Sequence, residues 1–397
     1  MSRLTKVRKL LYLVLWGSAL LSLGSRLQFL PTPLRFAMYA SALLSNAPGV
    51  LVISKLFGYA WSRSLWGVFS SALVSTLLWE PLLRWIERPL RRHPEAPEAG
   101  GRMRRRTFLL LGTGATVGGL GVTYSTAIER HNFQLRGHKL YLPQLPPQLA
   151  GLRIVVLADM HLGPVNRPQD LRPAFALAQS LKPDLVLLPG DFVHLSSRYF
   201  SEAAELIASL KPQIAGAMFG TWGNHDHWND REKGEPELRR AGCQILTQQA
   251  RVITPQRTLD TSGPGLWIGG VDDMWEGKPD IWKALRGIAP DQPRLLMCHN
   301  PDVAEVQKGP RVDLMLSGHT HGGQIYLPGL GSPIVPSRYG QKYARGLVSG
   351  PHYPVYVTRG LGVGGIPVRL GVPPEVTCLE LHPSNQGFFW ESLDYLG

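Results

Sequence analysis

Arg153-Ile154-Val155-Val156-Leu157-Ala158-Asp159-Met160-His161 decides how this chain is read. A short β-branched and apolar run reads as a buried strand, and it stops at an aspartate and a histidine. The same event recurs four times downstream. Runs at 184–189, 214–219, 294–297 and 312–316 end at Gly190-Asp191, Gly223-Asn224-His225-Asp226, Cys298-His299 and Gly318-His319-Thr320-His321. Amphipathic stretches at 170–181 and 199–210 separate the first three runs, so strands alternate with helices as in α/β architectures. Ligands of such sheets bind beyond the carboxyl ends of the strands, where these polar clusters would converge.

The mixture of side chains points to a chemistry. Imidazole and carboxylate together suit Zn, Mn or Fe, whereas an all-oxygen set would suit Mg or Ca and a thiolate-rich set a structural zinc. Two-metal hydrolysis needs cations about 3.5–4 Å apart, which calls for one bridging carboxylate, and Asp191 is the natural bridge. A lone histidine at a strand end is more often structural than ligating, but five clusters together overturn that for His161, His299, His319 and His321. His138, His194, His227 and His352 are left as surface or supporting residues. Gly322-Gly323 reads as a tight turn needing positive φ, and Cys298 as a small buried residue.

With these residues in view, the chain resembles the calcineurin-like metallophosphoesterases. It is most similar to the bacterial membrane-associated phosphodiesterase branch marked by Gly-His-Thr-His-Gly-Gly-Gln, here 318–324. The similarity extends through Ile325-Tyr326-Leu327-Pro328, Tyr343-Ala344-Arg345-Gly346-Leu347 and Pro373-Pro374-Glu375, covering roughly residues 150 to 383. The resemblance implies a four-layer α-β-β-α sandwich, two packed mixed sheets flanked by helices. It assigns Asp159, His161, Asp191 and His321 to one divalent metal, and Asp191, Asn224, His299 and His319 to the other. His225 would then donate a proton to the leaving oxygen, with Asp226 orienting its imidazole. Many relatives carry a further Asp shortly after Gly-Asp, where this chain has Phe192, Val193 and His194.

Charge and hydropathy divide the 397 residues unevenly. The formal net charge is +13, yet residues 1–130 hold 17 Lys and Arg against 5 Asp and Glu, leaving 25 and 24 in the remainder. The nearly neutral remainder, with no basic aromatic stripe, argues against a nuclease and no nucleic-acid partner is expected. Apolar stretches at 10–23, 36–53, 65–79 and 107–128 flank an arginine-rich link at 84–106, which reads as membrane topology with lipid as partner. The expected organisation is a membrane region at 1–130, a linker at 131–150 with 134–142 as a candidate added strand, a catalytic domain at 151–383 and a tail at 384–397.

Orientation admits two readings. If the arginine-rich link is cytoplasmic and 107–128 crosses, the catalytic part faces outward from a bacterial inner membrane. Arg105-Arg106-Thr107-Phe108-Leu109 also resembles a twin-arginine export signal. Arg3, Lys6, Arg8 and Lys9 favour a cytoplasmic N-terminus, and three full spans would then put the arginine-rich link outside, so either a marginal segment does not span or the N-terminus lies outside.

Cys243, Cys298 and Cys378 form neither a disulfide framework nor a Cys-x-x-Cys pair. For substrate, Trp222, Trp228, Trp267 and Trp275 bracket the clusters, and Arg359 and Arg369 could clamp a phosphate or form salt bridges. A lipid or envelope phosphodiester or pyrophosphate is expected, with UDP-2,3-diacylglucosamine a candidate that the resemblance supplies. The rival classes are a nuclease or nucleotide phosphodiesterase, and a membrane binding or transport protein with an inactive phosphoesterase domain.

Overall fold

The computed structural model describes residues 120–393. The apolar stretches at 10–23, 36–53 and 65–79, the arginine-rich link, and residues 107–119 of the fourth stretch lie outside the described residues. Among the described residues, no helix is long and apolar enough to cross a membrane.

Two seven-stranded mixed sheets make the centre. The first contains β1 (Gln134–Pro143), β2 (Arg153–Val156), β3 (Leu185–Pro189), β4 (Met218–Thr221), β5 (Gln244–Ile245), β13 (Glu375–Ser384) and β14 (Phe389–Leu393), in the order β14-β1-β13-β2-β3-β4-β5. The second contains β6 (Gln249–Ile253), β7 (Leu259–Asp260), β8 (Leu266–Gly270), β9 (Arg294–Met297), β10 (Leu314–Ser317), β11 (Gly346–Ser349) and β12 (Pro354–Val357), in the order β11-β12-β10-β9-β8-β6-β7. β2, β3, β4 and β5 run parallel, as do β8, β9, β10 and β12.

Burial explains why the opening stretch is apolar throughout. Ile154 and Val156 face the core shared by the two sheets, with Leu295, Met297, Leu314 and Leu316 opposite. Val155 and Leu157 face the other way, into a core with Phe175 and Phe200. A strand covered on both faces has no polar side to show.

Helices α1 (Pro168–Ser180), α2 (Tyr199–Ile207), α3 (Asn224–Trp228) and α4 (Arg231–Arg240) accompany the first sheet. α1 buries Leu171, Ala174, Phe175 and Ala178, one stripe at helical spacing, and starts where Asp170 accepts a hydrogen bond from the Arg167 amide. α5 (Ile281–Ala284) and α6 (Val303–Val306) cover the outer face of the second sheet around Leu296, Met315 and Val355. The layers are therefore helix, sheet, sheet, helix.

Three segments depart from the expected organisation. Within the expected linker at 131–150, the added strand expected at 134–142 is present as β1, but it lies inside the first sheet between β13 and β14, with a ten-residue parallel register against β13. The tail at 384–397 contributes β14, antiparallel to β1 from Gly137 to Tyr141. The run at 214–219 becomes a strand only from Met218, because Gly216 adopts φ 76° and the chain turns there first.

Candidate functional site

All five polar clusters leave the carboxyl ends of parallel strands: Asp159 and His161 after β2, Asp191 after β3, Asn224 and His225 after β4, His299 after β9, His319 and His321 after β10. Asp159, His161, Asp191, His319 and His321 all take positive φ between 45° and 71°, unusual for residues with a Cβ. Such conformations concentrate where surrounding structure forces side chains to a common point.

Hydrogen bonds join the sheets here. The Asp159 carboxylate, from the first sheet, accepts the His319 amide of the second at 2.8 Å. His299 Nδ1 donates to the Pro189 carbonyl across the same gap at 2.8 Å, which fixes its tautomer and turns Nε2 toward Asp191 at 3.1 Å. His161 Nε2 reaches the same Asp191 oxygen at 3.3 Å. Asp191 therefore stands between two side-chain groups, Asp159-His161-His321 and His299-His319, each able to converge on one ion.

Close approach needs glycine. A Cβ on Gly318 would lie 2.3 Å from Asp159 Oδ2, and one on Gly223 would lie 2.2 Å from Asp191 Oδ1. Both carboxylates lie directly against these backbones.

The donor set fits divalent cations. Asp159 Oδ2, Asn224 Oδ1, His299 Nε2 and His319 Nε2 are buried without a hydrogen-bond partner, a costly arrangement for atoms of this kind. His161 Nε2 and His321 Nε2 face each other at 2.9 Å. Burial holds the His161 and His321 imidazoles well below their usual pKa and brings His319 down to about 3, so these rings are neutral donors. Burial also opposes charge on Asp191, but the neighbouring His299 outweighs it and holds the carboxyl well below the usual carboxylate range.

His225 and Asp226 are not arranged as expected. Asp226 is fully buried, and its carboxylate accepts the amides of Asp191, Phe192, Val193 and Gly223 at 2.8–3.3 Å. It holds the turn that carries Asp191 rather than orienting the His225 ring. The ring's partner is His194, with the two Nδ1 atoms 2.8 Å apart. His194, expected as a surface or supporting residue, thus supports the site; its place three residues after Asp191 is the available signal. His161, His194 and His225 also approach one another closely enough to share an ion.

The other sequence candidates separate cleanly. Trp228 and Trp275 are exposed and stand against His225 and His319, with ring centroids 4.5 and 4.3 Å apart, whereas Trp222 and Trp267 are buried. Arg369 is buried and donates to the carbonyls of Arg359, Gly360, Gly362 and Val372, and Arg359 pairs with Glu375 at 3.3 Å. His227 pairs with Asp272 at 2.8 Å, and His138, buried against Tyr356 and Trp390, is a core residue rather than a surface one. His352 is exposed. Gly322 and Gly323 take the positive φ expected of them, and Cys243, Cys298 and Cys378 are buried.

Known proteins share this arrangement's sequence. The calcineurin-like phosphoesterase family matches residues 152–323. The metallophosphoesterase YkuE of Bacillus subtilis is 31% identical over 290 residues, spanning 72% of this chain and 99% of that protein. Phosphodiesterase YaeI of Escherichia coli is 35% identical over 286 residues, 70% of this chain and 98% of that one. A transmembrane protein with metallophosphoesterase domain from Danio rerio is 35% identical, over 60% of this chain and 55% of its own length. The chain accordingly belongs to the calcineurin-like metallophosphoesterases and is a phosphoric ester hydrolase.

Proposed function

We propose that this protein is a membrane-anchored phosphoesterase that uses two divalent metal ions to hydrolyse a phosphodiester or pyrophosphate bond in a lipid or cell-envelope substrate. The carrying observation is the pair of donor groups on either side of Asp191, with Asp159 Oδ2, Asn224 Oδ1, His299 Nε2 and His319 Nε2 buried and unbonded. Asp159, His161 and His321 would hold one ion, Asn224, His299 and His319 the other, and Asp191 both. When bound, the ions supply positive charge against the phosphoryl oxygens and acidify water.

The chain's own side chains do the rest. His225, pinned through Nδ1 to His194, leaves Nε2 for the leaving oxygen. The Asp226 carboxylate fixes the Asp191 turn, and the His299–Pro189 bond keeps the two sheets from drifting apart across the site. Trp228 and Trp275 give the approach apolar walls on both sides.

The basic, apolar first 130 residues support anchoring at a bacterial inner membrane in several passes, with the catalytic part outside. A relative is itself named as a transmembrane protein, and another as a phosphodiesterase. The substrate class follows from that setting, and a UDP-linked diacyl sugar pyrophosphate is a candidate.

Purified protein loaded with Mn, Zn or Fe should be assayed on a bis-aryl phosphate, an aryl monophosphate, a UDP-linked lipid and single-stranded DNA. Metal-dependent cleavage of the diester and the lipid substrate is expected. Preference for DNA would replace this reading with a nuclease, and no metal-dependent turnover would leave a binding protein.

A further inference from the structure

Aliphatic side chains project from three places at one rim of the site. Leu330 and Ile334 stand 78% and 66% exposed after the Gly318–Gln324 turn, and Ile366 stands 53% exposed on the 359–372 segment. Backbone bonds stitch the two loops together, with Tyr326 donating to Leu370 and Leu370 to Gln324. Gln324 also reaches the Ile366 carbonyl with its side chain. The third contributor is the described end of the fourth apolar stretch, where Leu120, Val122 and Ile128 are 66%, 63% and 56% exposed. The Arg369 amide donates to the Ser125 carbonyl at 3.1 Å, joining this segment to the same rim.

The rim lies close to the reaction centre. A Cβ on Gly364, two residues from Ile366, would lie 3.2 Å from His321 Nε2. Isolated exposed aliphatics are ordinary, but several on segments bonded to one another beside a site point to a contact surface. The chain continues N-terminally from Leu120 into Thr107-Phe108-Leu109-Leu110-Leu111, preceded by Arg104, Arg105 and Arg106, a basic flank followed by an apolar run. The occupant that this basic flank and apolar run point to is lipid.

We infer that this rim, Leu330, Ile334 and Ile366 with the segment around Leu120 to Ile128, rests in the interfacial layer of the bilayer, so that the site takes lipid-borne phosphoesters at head-group depth. The inference builds on membrane anchoring as proposed above. Aliphatic tips sink into the boundary between head groups and acyl chains, and the site then meets a lipid phosphate without drawing the lipid out.

The test uses the full chain in vesicles of phosphatidylethanolamine and phosphatidylglycerol. Single cysteines, Leu330→Cys, Ile334→Cys and Ile366→Cys, carry a polarity-sensitive fluorophore, with Ser262→Cys as the control. Ser262 precedes β8, at the opposite end of the second sheet from the site, and the native cysteines are buried. Retained cleavage of a soluble bis-aryl phosphate reports that each variant is folded. Expected are blue-shifted emission at the three rim positions and quenching there by doxyl-labelled lipid, with neither at 262. If the chain floats with vesicles but the rim labels answer only to aqueous iodide, the inference is overturned while anchoring stands. A chain that does not float overturns both. A blue shift that needs no lipid and ignores doxyl quencher assigns the rim to a second copy and overturns the inference.

Discussion

His225 is held at one ring nitrogen by His194 and stands against Trp228, so its remaining nitrogen has a defined direction. A proton donor matters in proportion to how poor the leaving group is. His225→Ala should lower turnover of alkyl phosphodiesters by roughly a hundredfold and of activated aryl esters by far less, with bound metal unchanged. Equal loss on both substrates would remove it from the acid role. His194→Ala, which frees the ring without removing it, should show the same substrate pattern at smaller amplitude. Gly318 makes a complementary prediction, because a methyl group there would collide with Asp159 Oδ2. Gly318→Ala should reduce metal content measured by mass spectrometry, and intact stoichiometry would show that Asp159 is not needed for it. The ligand types were legible in the sequence because metals demand particular atoms. The partner of His225 was not, since Asp226 lies next to it in sequence, yet its carboxylate faces four backbone amides.

At the scale of elements, the five strand ends were readable because strands buried on both faces are unbroken apolar runs, as Ile154 and Val155 show by facing different cores. β1 was hard to place because its partner β13 lies more than two hundred residues downstream, and Pro143, Pro146 and Pro147 give its exit the composition of a linker. The 359–372 segment has no strand or helix through most of its length and depends instead on Arg369. That guanidinium satisfies four backbone carbonyls, and burial brings its pKa down to about 10 without discharging it at neutral pH. Arg369→Met would keep much of the volume and strand those carbonyls. Unpaired buried groups cost about 1–3 kcal/mol each, with partial relaxation, so a loss of about 3–5 kcal/mol in urea unfolding is expected. A phosphate-clamping role would instead raise KM at nearly unchanged stability.

Across the whole molecule, His138 ties together what the sequence kept apart. It lies on β1 in the first sheet, hydrogen-bonds Tyr356 on β12 of the second at 3.1 Å, and packs on Trp390 of β14. Burial, with a smaller contribution from Arg136, lowers its pKa to about 4. The unfolded imidazole titrates near 6.5, as model peptides do. Between those values the unfolded chain binds a proton that the folded chain refuses, so stability falls as pH drops from about 6.5 toward 4 and rises again with pH. Above 6.5 both states are neutral and the group contributes no pH dependence. His138→Phe removes this linkage along with the Tyr356 hydrogen bond, so its absolute stability at pH 8 is uninformative. The diagnostic is the slope: melting temperature should decline less steeply in the variant than in the parent between pH 6.5 and 4.5. Because strands of both sheets enclose the imidazole, the folded chain keeps it neutral down to about pH 4. Parallel acid limbs in the two proteins would mean that the His138 pKa is the same folded and unfolded, so that burial between the sheets does not depress it.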